Sequence, residues 1–253
     1  SKGINILSEK CPVVLDHYNL KWFDDSVTSK FFFKKVITSM GIRTLYFVRH
    51  GESEANAGIA NQPDHEIILT ATGQSQARQL VERLDVHPVA VYTSELLRTQ
   101  QTASYYCHKH SIEPKVLPLL NEMCCLDYEN IKDISIENRR QLAREYWNRA
   151  DLHEKNGPAA DSFVMFLNRV KEFLASYQQY PDHTVFFGHG MWIGLLAWHL
   201  MGFSIEDSDS MRLFRQFQTA MVMDNTVIYQ LQWDEASSLQ QFSLYSRLRN
   251  THS

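Results

Sequence analysis

Five side chains in this 253-residue sequence have the chemistry to move a phosphoryl group between oxygen atoms: Arg49, His50, Arg98, Glu122 and His189. His50 lies in Arg49-His50-Gly51-Glu52-Ser53 and His189 in Phe187-Gly188-His189-Gly190, so each histidine is flanked by glycine. Imidazole is a nucleophile and proton carrier in the neutral pH range. Arg98 falls in Ser94-Glu95-Leu96-Leu97-Arg98, in the expected first turn of a helix. There the electropositive helix end and a forked guanidinium both suit phosphate oxygens. Glu122, in Leu120-Asn121-Glu122, is the candidate general acid for a departing oxygen, with Asp127 and Glu129 on the same loop as rivals. Phosphoryl transfer needs mainly charge stabilisation and alignment, which fixed cationic donors supply without reorganising.

These residues act together only if separate elements bring them to one place. Thr44-Leu45-Tyr46-Phe47-Val48 reads as a buried strand followed at once by a glycine-containing loop. Val89 to Tyr92, Val116 to Leu120 and Thr184 to Phe187 repeat that pattern. Helical patterns alternate with them over Ala71 to Leu84, Glu95 to Lys109 with Ser94 as N-cap, Ser162 to Tyr177 and Met191 to Met201. Alternation of this kind implies an α/β fold, a three-layer sandwich whose mostly parallel sheet is flanked by helices. Both histidines, Arg49 and Arg98 then sit at carboxyl ends of strands, where open α/β sheets place ligands. A last strand, Val222 to Gln232, is expected antiparallel at an edge. Three parts follow: an N-terminal extension over 1–42, a catalytic domain over 43–235 with a small helical cap from Met123 to Asp161, and a tail over 236–253 read as helical or partly disordered.

Over roughly residues 43–232 the chain resembles the histidine phosphatase superfamily, also called the phosphoglycerate mutase-like family. The matching stretches are Leu45 to Asn56 (LYFVRHGESEAN), Leu69 to Ala77 (LTATGQSQA), Tyr92 to Ala103 (YTSELLRTQQTA), Leu120 to Glu122 (LNE) and Gly188 to Gly190 (GHG), in the family's order. The resemblance implies that His50 attacks phosphorus while Arg49, Arg98 and His189 surround the transferring group. It implies Asn56 as a further phosphate ligand supported by Ser53, and Glu122 as proton donor and then as the base that activates water. It implies no metal and no organic cofactor. The chain departs from the family after the acid, where Met123 to Asn130 replaces the Trp-Glu-Gly turn of many phosphatases.

The reading is therefore a metal-independent phosphatase that hydrolyses a phosphomonoester through a phosphohistidine on His50. A phosphoglycerate mutase-type phosphotransfer is the alternative enzyme. Mutases of the family tend to carry basic residues directly after the acid, whereas Met-Cys-Cys-Leu stands here. A non-catalytic phosphoryl-binding scaffold on the same fold is the alternative outside enzymes. His65, His87, His108, His110, His183 and His199 read as ordinary surface or core histidines.

Composition narrows the partners. A formal net charge of −4 argues against a broad cationic face for nucleic acid. No stretch reaches the roughly 18 apolar residues of a membrane span. Cys11, Cys107, Cys124 and Cys125 lack zinc-site spacing and read as reduced thiols, so cytoplasmic residence is the expectation. The expected partner is a small phosphorylated substrate.

Overall fold

In a computed structural model of the chain, residues 41–236 and 239–246 are described. The expected extension over 1–42 lies, apart from Gly41 and Ile42, outside them. In chain order the elements are β1 (Ile42–Arg49), α1 (Glu54–Ala57), α2 (Ala71–Arg83), β2 (Ala90–Thr93), α3 (Leu97–His110) and β3 (Lys115–Val116). They continue with α4 (Tyr128–Ile131), α5 (Ile136–Arg149), α6 (Phe163–Ser176), β4 (Thr184–Gly188), α7 (Gly190–Leu200), α8 (Ser208–Ala220), β5 (Ile228–Asp234) and β6 (Gln240–Ser246). The sheet order is β3-β2-β4-β1-β5-β6. The strands β3, β2, β4 and β1 are mutually parallel, and β5 runs antiparallel to both β1 and β6.

Central strands of such a sheet are covered on both faces, so their side chains are apolar throughout and alternate between two cores. Leu45 and Phe47 of β1 join Phe186 of β4, Phe173 of α6 and Trp192 of α7 in one core. Tyr46 and Val48 point the other way and pack with Val185 and Phe187 of β4, Leu80 of α2 and Tyr106 of α3. The three layers are thus fixed by one period-two pattern. Phe47 is fully buried and packs its ring against Phe186, Phe173 and Trp192. Its replacement by alanine would cost about 3–5 kcal/mol. The region 123–161 contributes the short helix α4 and the longer α5 as the cap.

Four expectations need correction. The third helix starts at Leu97 rather than Glu95, with Leu96 and not Ser94 at its N-cap, because the Ser94 hydroxyl is engaged elsewhere. The strand expected over Val116 to Leu120 stops at Val116, and Pro118–Leu120 form a 3₁₀ turn; proline cannot donate to a ladder. β5 is not at the edge: the tail read as helical or disordered supplies β6, pairing Leu231 with Phe242 and Trp233 with Gln240, so the sheet runs past the expected boundary at 235. Finally, α8, to which the sequence reading assigned no element, buries Met211 and Phe214 and is opened by a capping box of Asp207 and Ser210.

Candidate active site

The strand β1 ends at Arg49, paired with Gly188 of β4, and the next N–H, that of His50, donates to the Gly188 carbonyl at 3.0 Å. The loop that follows lies directly against the first turn of α2. A Cβ on Gly51 would fall 2.6 Å from the Gly73 carbonyl oxygen, and one on Gly73 would fall 1.9 Å from the Glu52 carbonyl oxygen. Two backbones this close leave no room for a side chain at either position. From behind, Asn225 Nδ2 donates to the His50 carbonyl at 3.1 Å, and the Thr226 N–H donates to the Arg49 carbonyl at 3.1 Å.

His50 is held to one tautomer. Its Nδ1 lies 2.7 Å from the Gly51 carbonyl, which only accepts, so Nδ1 carries the hydrogen and Nε2 keeps its lone pair. Burial pushes its pKa well below 6.5, and the guanidinium groups of Arg98 and Arg49 push in the same direction. Both effects favour the neutral ring, with the lone pair on Nε2. His189 packs against it edge-on, with ring centroids 5.2 Å apart. His189 is fully buried and its pKa is likewise driven far down, first by burial and then by Arg98, His50 and Arg49. Its Nε2 lies 2.8 Å from Ser94 Oγ, and its buried Nδ1 has no partner.

The cations converge from two elements. Arg49 donates through Nη1 to the Met223 carbonyl, while its buried Nε is left without a partner. Arg98, in the first turn of α3 and 5% exposed, is clasped by Asp64: Nη1 donates to the Asp64 carbonyl at 2.8 Å and lies 3.1 Å from Oδ1. Asn56 accepts three bonds on Oδ1, from the Ser53 N–H at 3.2 Å, the Ser53 hydroxyl at 3.2 Å and Asn225 Nδ2 at 3.1 Å. Its amide NH₂ is thereby left for the cavity. Ser53 acts as the N-cap of α1 in a reciprocal capping box with Asn56, so its contribution is to orient that amide.

Glu122 sits at the N-terminus of α7. Its Oε2 accepts the Met191 N–H at 2.9 Å, and its Oε1 accepts the N–H groups of Trp192 at 3.1 Å and Met123 at 3.2 Å. Trp192 in turn donates from Nε1 to the Leu119 carbonyl at 2.7 Å, fixing the segment that carries the acid. Burial raises the Glu122 pKa, and the N–H groups of Met191 and Met123 and the Arg98 charge oppose it without cancelling it. The rivals are placed differently. Asp127 is buried and occupied by the N–H groups of Glu129 and Ala159, and Glu129 pairs with Lys132 at the surface.

Arg49, His50, Asn56, Arg98 and Glu122 line one cavity of about 260 Å³, with Ser53 in its wall and His189 directly behind His50. Six of the seven expected site residues thus share one wall, and the seventh touches it. Sequence reasoning missed Asp64, Asn225 and, in its actual role, Ser94. Asp64 opens a single 3₁₀ turn, Asp64–Glu66, and Asn225 lies in the connection before β5; neither carries a motif. Burial pushes the Cys124 and Cys125 thiols up to about 12 and about 11, which favours the protonated form at neutral pH. Among the described residues no three His, Cys, Asp or Glu side chains cluster as a metal site, and no helix is long and apolar enough to cross a membrane.

The family model of the histidine phosphatase superfamily, branch 1, matches residues 45–238. The chain belongs to that superfamily. It is an enzyme of the phosphatase type. One relative, the probable phosphoglycerate mutase GpmB of Photorhabdus laumondii, is 29% identical over 177 residues, covering 67% of this chain and 80% of the relative. Another, the adenosylcobalamin/alpha-ribazole phosphatase of Salmonella typhimurium, is 30% identical over 141 residues, 54% of this chain and 68% of that protein. The crystal structure of the alpha-ribazole phosphatase of Shigella flexneri superposes with a TM-score of 0.61 at 25% identity, covering 79% of this chain and 95% of that one.

Proposed function

We propose that this superfamily member hydrolyses a small phosphomonoester in two steps through His50. The reading is carried by one observation: the Gly51 carbonyl holds Nδ1 of a buried, neutral His50, leaving Nε2 as the lone-pair nitrogen in a cavity it shares with Arg49, Arg98 and Glu122. The phosphate oxygens take donors from Arg98, Arg49 Nε, the Asn56 amide and His189. Nε2 forms a bond to phosphorus as the ester P–O bond breaks, and the leaving oxygen takes the proton of Glu122. Glu122, now a carboxylate, draws a proton from water as that water attacks phosphorus. The P–N bond breaks, phosphate leaves, and Glu122 is again protonated. The role of each residue is supported by its geometry and by the order of the motifs.

The test is trapping by an alkaline detergent quench with a ³²P-labelled ester in the presence of chelator. Label should appear on the protein in a base-stable, acid-labile form and be absent from His50→Ala, which should also lose turnover. Turnover of His50→Ala at the wild-type rate would remove the histidine from the mechanism.

The mutase reading uses the same first step and returns the phosphoryl group to bound product; the GpmB relative favours it. Exchange of label between positions of phosphoglycerate, faster than release of phosphate, would decide for it. We further read the protein as cytoplasmic, with Cys107, Cys124 and Cys125 as free thiols in support.

A further inference from the structure

The phosphoryl cavity has a neighbour. A second cavity of about 310 Å³ lies between the loop after α1 and the cap, and Ala55 lines both. Two more links join them: Asp64, in the wall of the second, clasps Arg98 in the first, and Met123 of the second follows Glu122 of the first. The second space is thus the cavity adjoining the residue proposed to protonate the bridging oxygen of an ester, on the side where Met123 follows Glu122.

The walls of that space are mainly hydrocarbon. Ile67, Met123, Leu126, Ile131, Ile136 and Ala143 face it. Of the two arginines beside them, Arg139 is fully committed to holding the walls together. Its guanidinium donates to the carbonyls of Ala60 at 3.3 Å, Lys132 at 3.0 Å and Ile134 at 3.1 Å, and to Asn61 Oδ1 at 2.7 Å. The Tyr128 hydroxyl adds a donor to the Asn61 carbonyl at 3.0 Å. Loop and cap are thus stapled by side-chain bonds before any ligand arrives, which makes the space preformed.

We infer that the substrate of this enzyme is a phosphomonoester whose alcohol carries an apolar body, such as a fused ring system, seated between Ile67, Met123, Leu126, Ile136 and Ala143. The inference rests on the phosphoryl site proposed above and adds the class of leaving group. A volume of 310 Å³ equals about ten water volumes, enough for a body of roughly ten heavy atoms. Ligand sites of this kind are largely apolar with a few polar groups that fix orientation. Here the phosphate does the fixing. A short polar ester such as phosphoglycerate would leave the apolar walls wet and gain nothing from them.

Binding of two unreactive phosphonates separates this inference from the hydrolysis mechanism. Each buried methylene equivalent is worth about fourfold in affinity, so 2-naphthylmethylphosphonate should bind the wild-type protein at least about tenfold more tightly than methylphosphonate by calorimetry. Ala143→Phe fills the apolar space and should abolish the contrast while leaving methylphosphonate affinity unchanged. Ile136→Asp, at the first position of α5 where a helix N-terminus favours an acidic residue, should do the same by wetting the wall. Equal wild-type affinities, or a contrast that survives in both variants, would overturn the inference. If neither phosphonate bound, the phosphoryl site itself would fall. Retained contrast with no turnover of any ester would sink the hydrolase reading and leave the apolar-body assignment standing.

Discussion

Ser94 Oγ lies 2.8 Å from His189 Nε2 and 2.8 Å from Thr99 Oγ1, and the same oxygen accepts the Leu96 N–H at 3.2 Å. One hydroxyl thus joins the start of α3, which carries Arg98, to the histidine at the start of α7. Because His189 Nδ1 has no partner among the described residues, Ser94 is the one side chain among them that orients the ring by hydrogen bonding. Ser94→Ala should lower kcat/KM about fivefold to tenfold, as expected for losing one buried hydrogen bond. The ¹⁵N shifts of the His189 ring should change with it, a readout that a mere packing defect would leave alone.

Glu122 is raised in pKa by burial, so its protonated form persists above the usual carboxylate range. Turnover of an alkyl phosphate should accordingly fall as pH rises through that raised value. Glu122→Gln should erase the alkaline limb and cost about 10²–10⁴-fold in kcat. An aryl ester with a good leaving group should suffer much less in the first step. A variant that slowed neither ester would identify a different proton donor.

If Arg98 binds the substrate phosphate as proposed, Asp64 would compete for it, since its carboxylate and a phosphate oxygen seek the same donors. The Asp64 carbonyl also holds Arg98 Nη1 at 2.8 Å, so Asp64→Asn keeps the arginine in place while removing the negative charge. Inorganic phosphate should then inhibit at up to about fivefold lower concentration, the scale of a partly exposed ion pair. Weaker inhibition by phosphate would show that the charge serves to position Arg98.

Stability should fall on acidification. His50 and His189 titrate near 6.5 when unfolded and well below it in the native site, so between those points the unfolded chain binds protons the native one refuses. Their contribution is complete above about 6.5 and is lost as pH drops, at most by about 1.4 kcal/mol per pH unit for each ring. Glu122 has the opposite sign: its raised pKa favours the native state below 4.5 and ceases to do so as pH climbs through the native value. Two protons outweigh one. The urea midpoint should therefore be lower at about pH 5 than at pH 7, and His189→Gln should flatten part of that slope.

Gly73 does not line the cavity that holds His50, yet its replacement should disable the enzyme. An added Cβ would meet the Glu52 carbonyl oxygen at 1.9 Å, and relief of that clash must push the loop that carries His50. Gly73→Ala should lower kcat at least about tenfold and reduce the unfolding free energy by about 1–3 kcal/mol, the cost of overpacking. By contrast, Gly188 has open space around its Cβ position, and Gly188→Ala should fold normally.

Why some of this was legible and some not follows from where each residue sits. His50, Arg98 and His189 stand just past apolar strands, so a local pattern marks both the strand and the place where its side chains become available. Glu122 was readable for the same reason, although the strand before it ends early at a proline. Asp64, on a 3₁₀ turn, and Asn225, on the connection before β5, reach the site only through tertiary contacts, and nothing nearby in the chain signals them. Ser94 was singled out for its hydroxyl, but the helix cap that local rules assign lost to a histidine far along the chain. β6 escaped because its residues are all exposed or half-exposed with no period-two alternation, so it carries little strand signal, and pairing with β5 decides it.

The position of β1 in the sheet also governs when this enzyme comes into being. The strand that delivers His50 is bordered by β4 and β5, both of which lie in the last third of the described sequence, so during synthesis it waits with two bare edges until those later segments have been made. Pairings of such long sequence separation form slowly. His50 and His189 are carried by neighbouring strands made about 140 residues apart, so the two rings meet only after β4 has paired with β1, and until then the exposed edges of β1 are open to mispairing.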